Sequence, residues 1–143
     1  MADPPALRGL IDTSVVIGIE HVAPGALPAQ MAIAAVTLAE LAAGPHAAGD
    51  PTERARRQDR LQRAEATFDA IPFDADAARA YGRLYAEVAS GRRKARGKRA
   101  LDLLIAATAL AAELPLYTRN PYDFDGLHAL IDVATVSVAR STG

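Results

Sequence analysis

The stretch LRGLIDTSVVI, residues 7–17, decides the fold class. Leu7–Ile11 is short and apolar, with prolines before it and Asp12-Thr13-Ser14 after it. Such a run reads as a buried strand. Asp12-Thr13-Ser14 offers side-chain oxygens to the first amides of a helix, and Val15–Ile19 is the helix expected next. A buried strand that turns directly into a helix is the opening unit of an alternating α/β chain.

The rest of the sequence repeats that alternation. Met31–Val36 is a second strand-like run. Thr37 is placed to cap a helix over Leu38–Ala43, which Gly44-Pro45 should stop. Thr52 starts a long helix with Leu61, Ala64, Phe68 and Ile71 at helical spacing. Ile71-Pro72-Phe73 is extended. Asp74 caps a further helix whose inner stripe is Ala77, Tyr81, Leu84 and Val88. Ser90–Lys98 reads as a basic loop, and Leu101–Leu114, apolar nearly all round, as a helix buried in the core. Pro115–Thr118 is a strand, Arg119–Phe124 a turn and Ala134–Val138 a last short strand. This order implies a parallel sheet covered by helices. In such sheets ligands bind beyond the carboxyl ends of the strands.

Composition narrows the function classes. The 143 residues are 50% hydrophobic and 23% charged, as expected for one globular domain spanning 1–143. There is no cysteine, which excludes a disulfide framework, a thiolate nucleophile and a Cys-bound zinc. No apolar run reaches the roughly 18 residues of a membrane helix. The N-terminus lacks a basic segment followed by an apolar one, so no signal peptide and no membrane association is expected, and the cytoplasm is the expected location. A net charge of −1 conceals two basic stripes. Arg92, Arg93, Lys94, Arg96, Lys98 and Arg99 form one; Arg54, Arg56, Arg57, Arg60 and Arg63 form the other. A phosphate backbone responds to local stripes of this kind, although a solvated helix face and a loop look the same in sequence.

Acidic residues fall where the strand-end rule points. Asp12 follows the first strand, Glu40 lies one helical turn past the second, Asp102 begins the buried helix, and Asn120 and Asp123 follow the PLYT strand. Each has a plain alternative: Asp12 and Asp123 as caps, Glu40 as a solvated helix residue, Asp102 as a charge facing a helix dipole. Asp102 is the odd one, because a carboxylate among Leu101, Leu103, Leu104 and Ile105 needs a partner. His21, His46 and His128 are far apart and suggest no catalytic arrangement. The four tyrosines are too scattered for a stacking platform.

Four segments, IDTSVVI at 11–17, TLAEL at 37–41, LDLLIAATAL at 101–110 and LYTRNPYDF at 116–124, together resemble the signature segments of PIN-domain ribonucleases. The subgroup most resembled is the VapC toxins of bacterial type II toxin–antitoxin systems. The resemblance implies a three-layer α/β/α PIN-like fold with a central, mostly parallel sheet. It implies that Asp12, Glu40, Asp102 and Asp123 are the catalytic acids. Family members carry the fourth acid where either Asn120 or Asp123 stands; Asp123 is preferred here, with Asn120 as a neutral ligand. Thr13 and Thr118 match hydroxyl residues that line the family's pocket.

The chemistry accords with that expectation. Two carboxylates about 4 Å apart repel by roughly 4 kcal/mol at an effective dielectric of 20. Three or four stay ionised together only around a cation. Hard oxygen ligands without His or Cys select Mg²⁺, with Mn²⁺ as a substitute. Asp12 and Asp102 are the expected direct ligands, with Glu40 and Asp123 acting through water or a second ion. The expected reaction is phosphodiester hydrolysis of structured RNA, tRNA or rRNA, leaving 5′-phosphate and 3′-hydroxyl ends. The basic stretch Arg92–Arg99 leads into the helix of Asp102 and would offset the repulsion between the acids and RNA. The resemblance also implies a homodimer silenced by a small VapB-like antitoxin. Its groove would be walled by the helix of residues 15–19 and that of residues 53–70. A DNA-directed nuclease with the same acids, and a non-catalytic RNA- or protein-binding PIN domain, are the alternatives.

Overall fold

Arg8–Ile11 forms strand β1, and its side chains alternate between two cores. Leu10 enters one apolar cluster and Ile11 the other, both fully buried. Ala34 and Ile33 on β2 (Gln30–Ala34) divide in the same way, as do Leu116 and Tyr117 on β4 (Leu116–Thr118). Successive strand residues point to opposite faces, so a sheet covered on both sides needs apolar residues at consecutive positions. The computed structural model describes residues 6–90 and 98–137.

β3 (Asp69–Ile71) and β5 (Val133–Thr135) complete a five-stranded sheet in the order β3-β2-β1-β4-β5, with every pairing parallel. The central sheet is thus wholly parallel, as expected of the fold class. The last strand is shorter than expected, and Val138 lies outside the described residues. The sheet grows outward from β1 in one direction to β3, then in the other to β5. The order reverses between β1 and β4, which is where an open α/β sheet leaves a crevice.

Five helices cover the sheet. α1 (Thr13–Ile17) and α3 (Pro51–Thr67) contribute Val15, Val16, Leu61 and Ala64 to one core. α4 (Ala75–Ser90) and α5 (Lys98–Ala111) pack on each other and fill the opposite core with Ala80, Leu84, Leu103 and Ala106. The expected stripe of α4 is largely inward, with Ala77, Leu84 and Val88 buried and Tyr81 packed at the edge. Asp74 caps α4, accepting from the Ala77 amide at 3.0 Å.

Several boundaries differ from the sequence reading: the long helix ends at Thr67, so Phe68 and Ile71 lie beyond it, the extended piece is β3 over Asp69–Ile71 rather than 71–73, and α5 spans Lys98–Ala111 rather than Leu101–Leu114. α1 ends at Ile17 rather than Ile19, and a separate 3₁₀ turn follows over Ile19–His21. The break falls at Gly18, where the Arg119 guanidinium takes the space of a side chain: a Cβ there would lie 2.0 Å from Nη1. α2 (Ala35–Ala47) runs through Gly44 and Pro45 instead of stopping at them. The Gly44 carbonyl, in the last turn, has a substitute donor in Arg57 Nη1 from α3 at 2.9 Å. Thr37 is therefore not a cap but the third residue of α2, fully buried.

Candidate active site

Asp12 leaves β1 at its carboxyl end and is both the N-cap of α1 and a buried carboxylate, 4% exposed. A buried charge is tolerated only with bonds around it. Asp12 has three. Its Oδ1 accepts from the Ser14 hydroxyl and from the Val15 amide at 3.2 Å, and its Oδ2 accepts from the Thr118 hydroxyl at 2.7 Å. The backbone joins the same strands, since the Asp12 amide donates to the Tyr117 carbonyl at 3.0 Å. Asp12 and Thr118 thus meet across the β1–β4 junction where the strand order reverses.

Both hydroxyls that hold Asp12 are themselves held. Ser14 Oγ accepts from the Arg119 amide at 3.2 Å, and Thr118 Oγ1 from the Asn120 amide at 3.0 Å. A hydroxyl has one proton and two lone pairs. With that proton given to Asp12, each hydroxyl receives the backbone of residues 119–120. The turn after β4 and the carboxylate after β1 are therefore positioned by one network. A carboxylate has about four lone-pair positions. The three bonds to Asp12 leave the fourth, on Oδ2.

Glu40 is brought to the same place by α2. Its Oε1 accepts from the Thr13 hydroxyl at 2.7 Å, and Thr13 is the residue after Asp12. Thr13 Oγ1 also lies 3.0 Å from Thr37 Oγ1. With its one proton directed to Glu40, Thr13 accepts from Thr37, which gives the buried Thr37 hydroxyl its partner. The sequence reading used Ser14 and Thr37 only as capping residues. Their placement around Asp12 and Thr13 was readable for Ser14, two residues from Asp12. For Thr37 it depends on α2 docking beside α1.

Asp102 is 8% exposed on α5. α5 is joined to β4 by residues 112–115, and Arg99 in its first turn reaches the turn that follows β4. The 14 residues of α5 span about 21 Å, longer than the strands, so its start returns to the carboxyl end of the sheet. Asp123 is partly buried in the 3₁₀ turn Pro121–Phe124, which packs against α5, while Asn120 caps that turn and is exposed. Arg99 fastens the two: Nη1 donates to the Asp123 carbonyl and Nη2 to the Asp125 carbonyl at 3.0 Å. Arg92, Arg93, Lys94 and Arg96, with the side chain of Lys98, lie outside the described residues.

Two cavities flank this network. A cleft of about 390 Å³ is lined by Thr13, Ile17, Glu40, Gly44, Arg57 and Arg60, among others. A groove of about 560 Å³ runs between α1 and α3, from Val16 and Ile19 to Arg63 and Phe68. The donors assembled here are carboxylate and hydroxyl oxygens, the type Mg²⁺ and Mn²⁺ prefer. Among the described residues no three His, Asp or Glu side chains enclose a common point. The unused acceptor position on Asp12 Oδ2 would suit an ion held by one or two carboxylates with water and substrate phosphate, as Mg²⁺ binds.

Residues 10–126 match the PIN domain family. This chain belongs to the PIN-domain family. Ribonuclease VapC5 of Mycobacterium tuberculosis is 36% identical over 98% of this chain and 99% of its own, which places the chain among the VapC proteins of that family. The crystal structure of VapBC-5, a member of the VapBC family of toxin–antitoxin systems from the same organism, matches with a TM-score of 0.79, covering 92% of this chain and 99% of the other. VapBC2 of Rickettsia felis shares the fold, with a TM-score of 0.70 at 21% identity, over 91% of this chain and 99% of that one. The PIN-domain match runs from Leu10, before Asp12, to Gly126, just past the Arg99-clamped turn. Among the described residues no helix is long and apolar enough to cross a membrane.

Proposed function

We propose that this VapC protein is the toxin of a VapBC-type pair and a Mg²⁺-dependent endoribonuclease that hydrolyses phosphodiester bonds in structured RNA, tRNA or rRNA. The observation that carries the reading is Asp12, a buried carboxylate held by three donors at the sheet's switch point, in a chain of this family. Asp12 and Asp102 hold the ion, with Mn²⁺ as a substitute. Bound there, the ion supplies charge to the reacting phosphate and lowers the pKa of the attacking water. Ser14, the Val15 amide and Thr118 fix Asp12 so that Oδ2 keeps one lone pair for it. Thr13 fixes Glu40 through Oε1, which leaves Oε2 to orient a water. Asp123 and Asn120 complete the rim from the turn that Arg99 holds. Arg92, Arg93, Lys94, Arg96, Lys98 and Arg99 offset the acids as RNA approaches.

The partner reading rests on the VapBC complexes that share this fold. A VapB-like antitoxin lies in the groove between α1 and α3, where Ile17 is 47% exposed, and inhibits the enzyme. The active form is a homodimer. The test is cleavage of total tRNA and rRNA by the purified chain with Mg²⁺, with Mn²⁺ and with EDTA. Cleavage is expected with either ion and not with EDTA, leaving 5′-phosphate and 3′-hydroxyl ends. Asp102→Asn should abolish it with an unchanged circular dichroism spectrum. Full activity in that variant would overturn the assignment.

A further inference from the structure

We infer that Arg60, in the cleft beside Glu40, forms a subsite for one backbone phosphate of the RNA substrate; this rests on the ribonuclease reading above. The five arginines of α3 are not equivalent. Arg56 and Arg57 both pair with Glu53, at 3.9 and 3.0 Å, and Arg63 pairs with Asp59 at 3.0 Å. Arg54 is exposed and lines neither cavity. Arg60 is partly buried and makes no ion pair or hydrogen bond among the described residues. A solvated helix face would leave it in water, and a structural role would give it a carboxylate. It has no carboxylate and is not fully exposed, and it lines the cleft that Thr13 and Glu40 also line.

The occupant that fits is anionic and arrives next to the acids. Glu40 accepts a hydrogen bond from Thr13, the residue after Asp12, so a polynucleotide with its scissile phosphate at Asp12 carries an adjacent phosphate into this cleft. That phosphate meets Glu40 as well, and needs a cation there. Arg57 is already engaged with Glu53 and with the Gly44 carbonyl. Arg60 is the free one among the described residues of the cleft, and its planar fork suits two phosphate oxygens. Arg60 and Ile17 also line the α1–α3 groove, so an acidic partner side chain in that groove is the competing occupant.

The test compares wild type, Arg60→Gln, Arg60→Lys and Arg54→Gln on end-labelled total tRNA. Binding is measured in EDTA over a series of salt concentrations, and steady-state cleavage with Mg²⁺. For Arg60→Gln, affinity should fall several-fold at low salt. The slope of log affinity against log salt should shrink by about 0.7–0.9, the loss of one phosphate contact. KM should rise with kcat within about twofold. Arg60→Lys should keep the slope, and Arg54→Gln should stay within about twofold in affinity. A wild type that cleaves while Arg60→Gln matches it in slope and KM overturns the subsite and leaves the ribonuclease standing. An equal loss in Arg54→Gln also overturns it. A wild type that neither binds nor cleaves RNA overturns both readings.

Discussion

Asp12 caps α1, and the cap leaves room for the second role proposed for it, because a carboxylate has more acceptor positions than a cap uses. Oδ1 serves the helix and Oδ2 faces Thr118 and the crevice. Asp12→Asn should therefore separate them. Asn caps about as well as Asp, so the melting temperature should move by only a few degrees while cleavage is lost. Thr118→Val tests the network behind it. It strips Asp12 of a donor and leaves the Asn120 amide without its acceptor, and should cost about 1–3 kcal/mol in urea unfolding. The positions of Asp12 after β1, Glu40 on α2 and Asp102 in α5 were legible from the strand and helix patterns around them. The role of Thr118 toward Asp12 was not, since the two are 106 residues apart and meet only once β4 has paired with β1.

Elements were legible where the local signal and the tertiary context agree. α4 follows its apolar stripe and its Asp74 cap, so its boundaries could be read directly. α3 begins at Pro51 with Asp50 as cap, one residue before the expected Thr52. α2 runs through Gly44-Pro45, and its Gly44 carbonyl takes a donor from Arg57 on the next helix, a contact that no local window contains. The same dependence on distant partners appears at the turn Pro121–Phe124, whose shape is held by Arg99. Arg99→Met keeps the helix but removes both donors to that turn. Cleavage should fall at least tenfold, and hydrogen exchange of the amides of residues 123–127 should speed up while the α4 amides stay protected.

At the scale of the molecule, alternating buried strands and helices announced a parallel sheet with helices on both sides, and the two apolar clusters are those two interfaces. The strand order β3-β2-β1-β4-β5 was not legible. Lateral order is set by which crossover helix packs on which face, and every strand here reads alike from its own residues. The consequence is local, because the reversal between β1 and β4 is what sets Asp12 and Thr118 side by side. The core that holds this arrangement should respond as a packed one. Leu84, fully buried on α4, should cost about 2–5 kcal/mol when changed to Ala, measured by urea unfolding. The central claim is that Asp12 and Asp102 hold the ion needed for RNA cleavage, and the most direct measurement is an anomalous difference map from crystals soaked in Mn²⁺. The account predicts a peak within coordination distance of Asp12 Oδ2. Its absence there, in a protein that cleaves RNA in the same Mn²⁺ buffer, would contradict the account.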